Sequence, residues 1–304
     1  MAISPVLPKG VTLDHLLAQL RSLSWGAADI LMAYARGLQP PHGFSRELTV
    51  EDSGDGPVSA ADRAVNTWLL DGLISAFPLA EWELLSEETT NKQLIEQSVL
   101  NSEWVWILDP LDGTKDFLAG TGEYAVHLAL VQNQMPILGV VLIPELEELW
   151  LGVVGIDAWC EDRNGSRKSF GFSNRIALED LILVASRNHR DDRLEQLITT
   201  LAISGSKAVG SVGCKVATIL RGEADFYLSL SGKTAPKDWD MAAPEALLRS
   251  AGGQFTHADG RSLSYNTGDI RQEGLLIASH GLNHCLLCQI SSKELKLIDP
   301  EFKV

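Results

Sequence analysis

Two aspartates, Asp109 and Asp112, directly follow an apolar run at residues 104–108 that predicts a buried strand. Because two ionised carboxylates held this close repel each other in a partly dry site, they require a cation. Hard oxygen donors of this type select Mg²⁺, Mn²⁺ or Ca²⁺ over zinc. The backbone amides of Gly113 and Thr114 come next and are free to bind a phosphate. An ordinary turn is the alternative interpretation, since Asp-Gly is common in turns.

Three further segments place acids where predicted elements begin or end. Glu87 and Glu88 follow a short apolar run, Asp62 lies in the first turn of a helix, and Asp240 lies at the start of another. The start at Asp240 is predicted from Pro244, because proline is tolerated in the first turn of a helix. Each segment also has an ordinary structural interpretation. Adjacent acids commonly begin a helix at a surface turn, and an acid in a first turn is stabilised by the helix dipole.

The elements that carry these acids are predicted from the spacing of apolar residues and from helix breakers. Helices are expected over 13–36 and from Ser59 to just before Pro78, strands at 82–85 and 104–108, and an antiparallel meander over 125–154. The second half alternates strands at 181–185, 207–209, 224–228 and 274–278 with helices at 190–203, 214–221 and 241–251, an α/β pattern. The polar stretch 161–174 predicts a boundary. It divides the chain into an N-terminal half, 1–165, and a C-terminal half, 166–304.

In order and spacing, the four acidic segments resemble those of the inositol monophosphatase superfamily of metal-dependent, lithium-sensitive phosphatases, over nearly the whole chain. The resemblance implies an α/β (α+β) fold: the layered α-β-α-β-α sandwich of the inositol monophosphatase and fructose-1,6-bisphosphatase type. It places the metal site at the junction of the halves. The N-terminal half would then carry most of the metal ligands, and the C-terminal half Asp240 and the substrate specificity.

The resemblance also implies roles for particular residues. About two or three Mg²⁺ ions would be held by Glu87, Asp109, the backbone carbonyl of Leu111, Asp112 and Asp240. Asp62 and Thr114 would prepare the attacking water. The amides of Gly113 and Thr114, with the positive end of the helix that carries Asp240, would bind the phosphate.

The second half resembles the 3'(2'),5'-bisphosphate nucleotidase branch of that superfamily. Ser186-Arg-Asn-His189 is similar to the branch's S-R-x-H, and Ser211 and Lys215 lie in a loop similar to its G-x-x-x-x-K. The resemblance implies that Ser186, His189, Ser211 and Lys215 contact the substrate, with Lys215 near a phosphate. The alternatives are that Lys215 caps or solvates a helix face and that His189 is an ordinary loop histidine.

The substrate implied is 3'-phosphoadenosine 5'-phosphate, hydrolysed to AMP and phosphate, with 3'-phosphoadenylyl sulfate as a related substrate. Lys233 and Lys237 lie where an inositol-selective enzyme is expected to place an acid, and Asp238 is the only acid there. An inositol monophosphatase or inositol polyphosphate 1-phosphatase is the alternative within the class. A non-catalytic phospholigand sensor is the alternative from another class, and a binder would have no need of the pair Asp62 and Thr114.

The net charge and the length of the apolar segments count against a protein that binds nucleic acid polymers or spans a membrane. With 40 Asp and Glu against 25 Lys and Arg, the net charge of −15 repels nucleic acid polymers and acidic membranes. No segment approaches the roughly 18 apolar residues of a membrane span. We expect a cytoplasmic protein whose partner is a small phosphorylated metabolite, and we make no prediction of its oligomeric state. The pair Cys285 and Cys288 leaves a structural zinc site as an alternative to ordinary packing in the last amphipathic helix.

Overall fold

The computed structural model describes residues 5–52, 56–90, 99–231 and 235–302. Its helices are α1 Leu13–Ala35, α2 Ala60–Ala76, α3 Thr114–Ala119, α4 Asp192–Thr200, α5 Val212–Leu220, α6 Asp238–Ser250 and α7 His284–Ile298. Its strands are β1 Val50–Asp52, β2 Pro57–Ser59, β3 Glu83–Ser86, β4 Trp104–Asp112, β5 Ala125–Gln132, β6 Met135–Ile143, β7 Glu148–Val153, β8 Asp157–Glu161, β9 Arg167–Lys168, β10 Ile182–Ser186, β11 Gly205–Val209, β12 Phe226–Ser231, β13 Gln254–His257 and β14 Gly274–Ser279. The sequence does not predict the short elements α3, β1, β2, β8, β9 and β13.

Two large sheets and three layers of helices form the predicted α-β-α-β-α sandwich. The first sheet has the order β3-β4-β5-β6-β7-β8-β9, and only β3 and β4 in it are parallel. The second has the order β11-β10-β12-β14-β13, with β11, β10 and β12 parallel. Helices α1 and α2 cover the outer face of the first sheet, α5 and α6 lie between the sheets, and α4 and α7 cover the outer face of the second.

The alternation of side chains along β4 and β5 decides which residues face the middle layer. Even-numbered residues such as Trp106 and Leu128 pack in the core under α1 and α2. Odd-numbered residues such as Val105 and Ala129 pack in the core that contains α5 and α6. Because successive strand residues point to opposite faces, Asp109 at the end of β4 continues the odd-numbered row toward the middle layer.

Glycines in the first sheet allow helix α6 to approach it closely. A Cβ atom at Gly139 would lie 2.5 Å from the carbonyl oxygen of Ala243, and one at Gly152 would lie 2.7 Å from Leu247 Cα. Such contacts exclude any side chain at these two positions unless the helix moves. This close packing sets the height of the α6 N-terminus above the end of β4, and so the position of Asp240.

The position of Pro244 corrects one premise of the sequence interpretation. The sequence predicts that the proline lies in the first turn of its helix, whereas α6 begins at Asp238 and Pro244 lies inside it. Proline has no N–H, so the carbonyl of Asp240 lacks its usual partner four residues later in the helix. The prediction that an acid lies at this helix start is nevertheless met, because Asp240 is in the first turn.

The division of the chain near residue 165 stays a proposal. The first sheet continues to β9 at Lys168, and the second begins with β10 at Ile182. One core between the sheets combines residues of both halves, among them Ile107 and Val216. Within the described ranges, no helix is both long enough and apolar enough to cross a membrane.

Candidate active site

A β-bulge at the end of β4 brings Asp109 and Asp112 to one face of the sheet. In a regular strand, residues three apart point to opposite faces, because the side-chain period is two. Here Asp109 pairs with His127 and Asp112 pairs with Ala125, so β4 has one more residue than β5 between these pairs. A bulge of this kind re-aims the side chains that follow it. Because of this bulge, the carboxylates of Asp109 and Asp112 converge although the two residues are three apart in the sequence.

Asp240 completes a group of three carboxylates. One oxygen from each of Asp109, Asp112 and Asp240 lies within 4.8 Å of the others. The Asp240 carboxylate is held in place by the backbone N–H of Lys237, which donates to Oδ2 at 2.5 Å. Because Asp240 is in the first turn of α6, the positive end of the helix dipole also faces the group.

Burial and the neighbouring negative charges raise the pKa values of Asp109, Asp240 and Glu87. Burial, followed by the charges of Glu87, Asp112 and Asp240, raises the pKa of Asp109 well above its usual range. Burial and then Asp240 raise the pKa of Glu87 to about 8, and burial and then Asp112 raise the pKa of Asp240 to about 7. Four acids so arranged cannot all be ionised at neutral pH without a cation. The donor set is all oxygen, which fits a hard divalent cation and not zinc.

Thr114 links Asp62 to the backbone carbonyl of Leu111. The Thr114 hydroxyl lies 3.1 Å from Asp62 Oδ1 and 3.1 Å from the carbonyl oxygen of Leu111, the group predicted to bind metal. Asp62 Oδ2 accepts hydrogen bonds from the Ser59 backbone N–H at 2.8 Å and from the Ser59 hydroxyl at 2.5 Å. Asp62 therefore caps α2 with one oxygen and offers the other to Thr114, so the structural and chemical interpretations of this acid both apply. Burial raises the pKa of Asp62, which strengthens it as a base.

The predicted substrate-binding residues Ser211 and Lys215 are buried. Ser211 is 1% exposed and its hydroxyl caps α5 by accepting from Cys214 N–H at 3.3 Å. Lys215 is 2% exposed; its ammonium group donates to the carbonyl of Gly210 and lies 5.3 Å from the centre of the Tyr227 ring. Neither side chain reaches the surface, so in this structure both support the site from beneath. Their predicted contacts with substrate stay predictions.

The loop with Ser186 and His189 is held in place by Asp116 of α3. The Ser186 hydroxyl accepts from the His189 backbone N–H at 3.1 Å, which closes the turn. Arg187 donates to Asp116 Oδ1 at 2.6 Å, and Asn188 donates to Asp116 Oδ2 at 2.7 Å. The His189 side chain is left exposed. This ion pair ties the second half of the chain to the helix that directly follows Gly113.

Comparison with known proteins identifies the family that uses this arrangement. The sequence matches the inositol monophosphatase family over residues 12–296. The chain belongs to that family. It is 32% identical over 253 residues to the 3'(2'),5'-bisphosphate nucleotidase CysQ of Salmonella typhimurium, covering 82% of this chain and 94% of that protein. It is 30% identical over 246 residues to an inositol-1-monophosphatase of Mesorhizobium japonicum, covering 79% and 86%.

A solved member of the inositol monophosphatase family shares the fold. The IMPase of Thermotoga maritima superposes with a TM-score of 0.71 at 23% identity, covering 94% of this chain and 98% of that one. The predicted fold is thereby confirmed. Family membership and the bisphosphate nucleotidase relatives also confirm that the chain is a phosphatase.

Three residues near the site of this phosphatase were not predicted from the sequence. Asp116 accepts hydrogen bonds from Arg187 and Asn188. Lys115 is exposed at the start of α3, and after burial its charge is the largest influence lowering the pKa of His189. His127 is fully buried on β5, 3.4 Å from Asp112 Oδ2. A signal for His127 was present, because it is the one ionisable residue in the apolar run 125–131.

The zinc alternative at the chain's C-terminal end finds no support among the described residues. His284 uses both ring nitrogens in contacts with the hydroxyls of Thr256, at 2.8 Å, and Ser279, at 2.9 Å. Cys288 is buried while Cys285 is exposed on α7. These residues therefore have ordinary packing roles, and in the described part of the chain the one group with metal-ligand spacing is the three aspartates.

The raised pKa values predict how the metal-free phosphatase responds to pH. In the folded state Glu87 binds a proton up to about pH 8 and Asp240 up to about pH 7, whereas their ordinary values are 4.5 and 3.8. The folded state therefore binds more protons than the unfolded chain in this window, so stability falls as the pH rises through it. Thermal denaturation in a chelator at several pH values measures the effect. Added Mg²⁺ should flatten the profile, and an equally steep profile with Mg²⁺ would contradict a cation site here.

Proposed function

We propose that the protein is a Mg²⁺-dependent 3'-phosphatase that converts 3'-phosphoadenosine 5'-phosphate to AMP and phosphate. The similarity to the bisphosphate nucleotidase CysQ of Salmonella typhimurium supports the substrate class. The observation that carries the proposal is the environment of Asp238, the only acid in the segment 231–238 that precedes Trp239 and Asp240. 3'-Phosphoadenylyl sulfate carries the same 3'-phosphate and is the related substrate that we expect the site to accept.

Asp238 is unsuited to recognise the hydroxyl groups of an inositol ring. It is fully buried, and its two oxygens accept hydrogen bonds from the Asn266 backbone N–H and from Gln272 Nε2, each at 2.8 Å. A carboxylate that is fully buried and held by protein donors on both oxygens is not presented to a substrate hydroxyl. Lys233, the basic residue also noted here from the sequence, lies outside the described residues. This environment counts against the inositol phosphatase alternative.

The residues that would hold Mg²⁺ are Glu87, Asp109, Asp112, Asp240 and the backbone carbonyl of Leu111. Glu87 lies outside the group of three aspartates, but its charge raises the pKa of Asp109. The charge of Asp240 in turn raises the pKa of Glu87. Bound Mg²⁺ would neutralise these carboxylates, polarise the attacking water and stabilise charge on the phosphate. About two or three ions would match this number of acids, by the analogy with two-metal phosphatases.

Asp62 and Thr114 would orient and deprotonate the attacking water. When the Thr114 hydroxyl donates to Asp62 Oδ1, its lone pairs are free to accept a hydrogen bond from water. The water proton then passes to the threonine oxygen as the threonine proton passes to Asp62. Asp62 is suited to this role because Ser59 holds its other oxygen and because burial raises its pKa. A phospholigand sensor would need no such pair.

The second phosphate of the substrate requires a positively charged side chain that is exposed at the site. Lys115 is exposed and its charge lowers the pKa of His189, while the Lys215 ammonium is turned to the carbonyl of Gly210 under the surface. We therefore assign the non-reacting 5'-phosphate to Lys115 and His189, and we assign to Lys215 a supporting role in this loop. Ser186 would contribute by fixing the turn that presents His189.

Replacing Lys115 with alanine tests this assignment. We expect kcat/KM for 3'-phosphoadenosine 5'-phosphate to fall about ten- to a hundredfold, the equivalent of one charge-assisted contact. Hydrolysis of inositol 1-phosphate, which has no second phosphate, should change little. Lys168→Ala, at an exposed lysine of β9, is the matched control. An equal loss on both substrates would show that Lys115 does not recognise the second phosphate.

Phosphate release across a substrate panel tests the function itself. The panel contains 3'-phosphoadenosine 5'-phosphate, inositol 1-phosphate, inositol 1,4-bisphosphate and fructose 1,6-bisphosphate, each with and without Mg²⁺. We expect the highest kcat/KM on the nucleotide and no turnover in a chelator. A preference for inositol 1-phosphate would support the inositol monophosphatase alternative. Binding without turnover of any substrate would support the sensor.

A further inference from the structure

His127 is a polar residue at the centre of a buried apolar strand. Its neighbours on the same face of β5 are Ala125 and Ala129, whose small side chains leave space for the imidazole ring. The ring is fully buried and faces the first turn of α5. Because a buried polar group without a partner is costly, the contacts of Nε2 indicate what this ring does here.

The ring accepts a hydrogen bond from helix α5. The backbone N–H of Gly213 donates to His127 Nε2 at 3.1 Å, so Nε2 carries no proton in this arrangement. The distance from Nε2 to Asp112 Oδ2 is 3.4 Å, longer than a charge-assisted hydrogen bond. Nε2 therefore acts as an acceptor for the helix. The contact is close enough to require glycine, since a Cβ at Gly213 would lie 2.4 Å from Nε2.

Three side chains satisfy the first three N–H groups of α5. Val212 N–H donates to Asp112 Oδ2 at 2.5 Å, Gly213 N–H donates to His127, and Cys214 N–H donates to Ser211 Oγ. The first N–H groups of a helix have no partner inside the helix, so these contacts fix its position. One of the three partners is a proposed metal ligand. The position of α5 and the orientation of Asp112 are thus set together.

We propose that His127 is a positioning residue for the metal site, which holds the start of α5 so that Val212 orients the carboxylate of Asp112. This inference rests on the proposed metal-dependent function. With Oδ2 held by the helix, the carboxylate of Asp112 is kept in one orientation within the group it forms with Asp109 and Asp240. His127 does not contact the substrate. Residues that hold a metal ligand in this way typically account for about 10- to 100-fold in metal affinity or activity.

Variants at His127 separate a positioning role from a packing role. In His127→Gln the amide oxygen is the same number of bonds from Cβ as Nε2, so it can still accept from Gly213 N–H. In His127→Asn the oxygen is one bond too short, and in His127→Leu the acceptor is lost. We expect Mg²⁺ affinity, measured by calorimetry on the purified full chain, to fall about tenfold or more in the Asn and Leu variants. It should be largely retained in the Gln variant.

Thermal denaturation in a chelator and a separate determination of kcat and KM complete the test. A packing role would lower the melting temperature in all three variants and leave Mg²⁺ affinity unchanged, which would overturn the proposal. Should the Leu variant fail to fold, the comparison of Gln with Asn decides, and equal Mg²⁺ affinity in these two would also overturn it. Asp112→Asn is measured alongside. If that variant binds Mg²⁺ normally, the proposed metal site itself is wrong, which distinguishes the two failures.

Discussion

Asp112→Asn should abolish phosphatase activity while leaving the metal-free protein as stable as the wild type or more stable. The asparagine oxygen can still accept from Val212 N–H, so the start of α5 keeps its cap. The negative charge is lost, and with it a repulsion that raises the pKa of both Asp109 and Asp240. Since removing a proposed metal ligand is more severe than disturbing its support, we expect a loss of about a thousandfold or more in kcat/KM.

Two measurements on this variant separate a lost metal site from a damaged fold. Addition of Mg²⁺ should raise the melting temperature of the wild type, because a ligand that binds the folded state stabilises it. It should not do so in Asp112→Asn. The control is Asp157→Asn, at an exposed aspartate whose partner Arg167 lies 3.6 Å away. Near-normal turnover of Asp112→Asn, or a melting temperature that still responds to Mg²⁺, would contradict the assignment.

The motif predicts the acids, but the pairing of β4 with β5 decides how they meet. The sequence indicates that Asp109 and Asp112 end a buried strand. It does not indicate that they share a face, because residues three apart in a regular strand diverge. Their convergence depends on the bulge in the β4–β5 ladder, which is defined by pairing with His127 and Ala125. A register between two strands has no signal in either strand alone.

Helix α5 contains a local sequence signal that the motif-based prediction does not use. All of its residues are buried, because the helix lies between the two sheets. A helix that is apolar on every side is expected to be buried, and Val212–Leu220 contains a single charged residue, Lys215. That composition predicts a buried lysine with a specific partner. The family motif predicts a lysine at the substrate, which stays a prediction, and the fold shows the carbonyl of Gly210 as its partner.

Thr114→Ala should lower kcat about a hundredfold or more, the usual contribution of a positioned general base, with little change in Mg²⁺ affinity. The variant removes the hydroxyl that links Asp62 to the proposed water position. Thr114→Ser keeps that hydroxyl and is the matched control, so it should retain most of the activity. Phosphate release and calorimetry with Mg²⁺ measure the two properties. Equal activity of the Ala and Ser variants would show that the hydroxyl has no part in the reaction.

Asp62→Asn should be as damaging as Thr114→Ala, because the two residues act as one unit. The amide oxygen of the variant would stay with Ser59, where the backbone N–H and the hydroxyl both donate, which leaves the amide NH₂ facing Thr114. An NH₂ group is a donor, so the Thr114 hydroxyl would turn to its other acceptor, the carbonyl of Leu111 at 3.1 Å. The threonine oxygen would then accept from this NH₂ group and could no longer pass on the water's proton. The double variant should be no slower than either single variant, whereas independent roles would make the losses multiply.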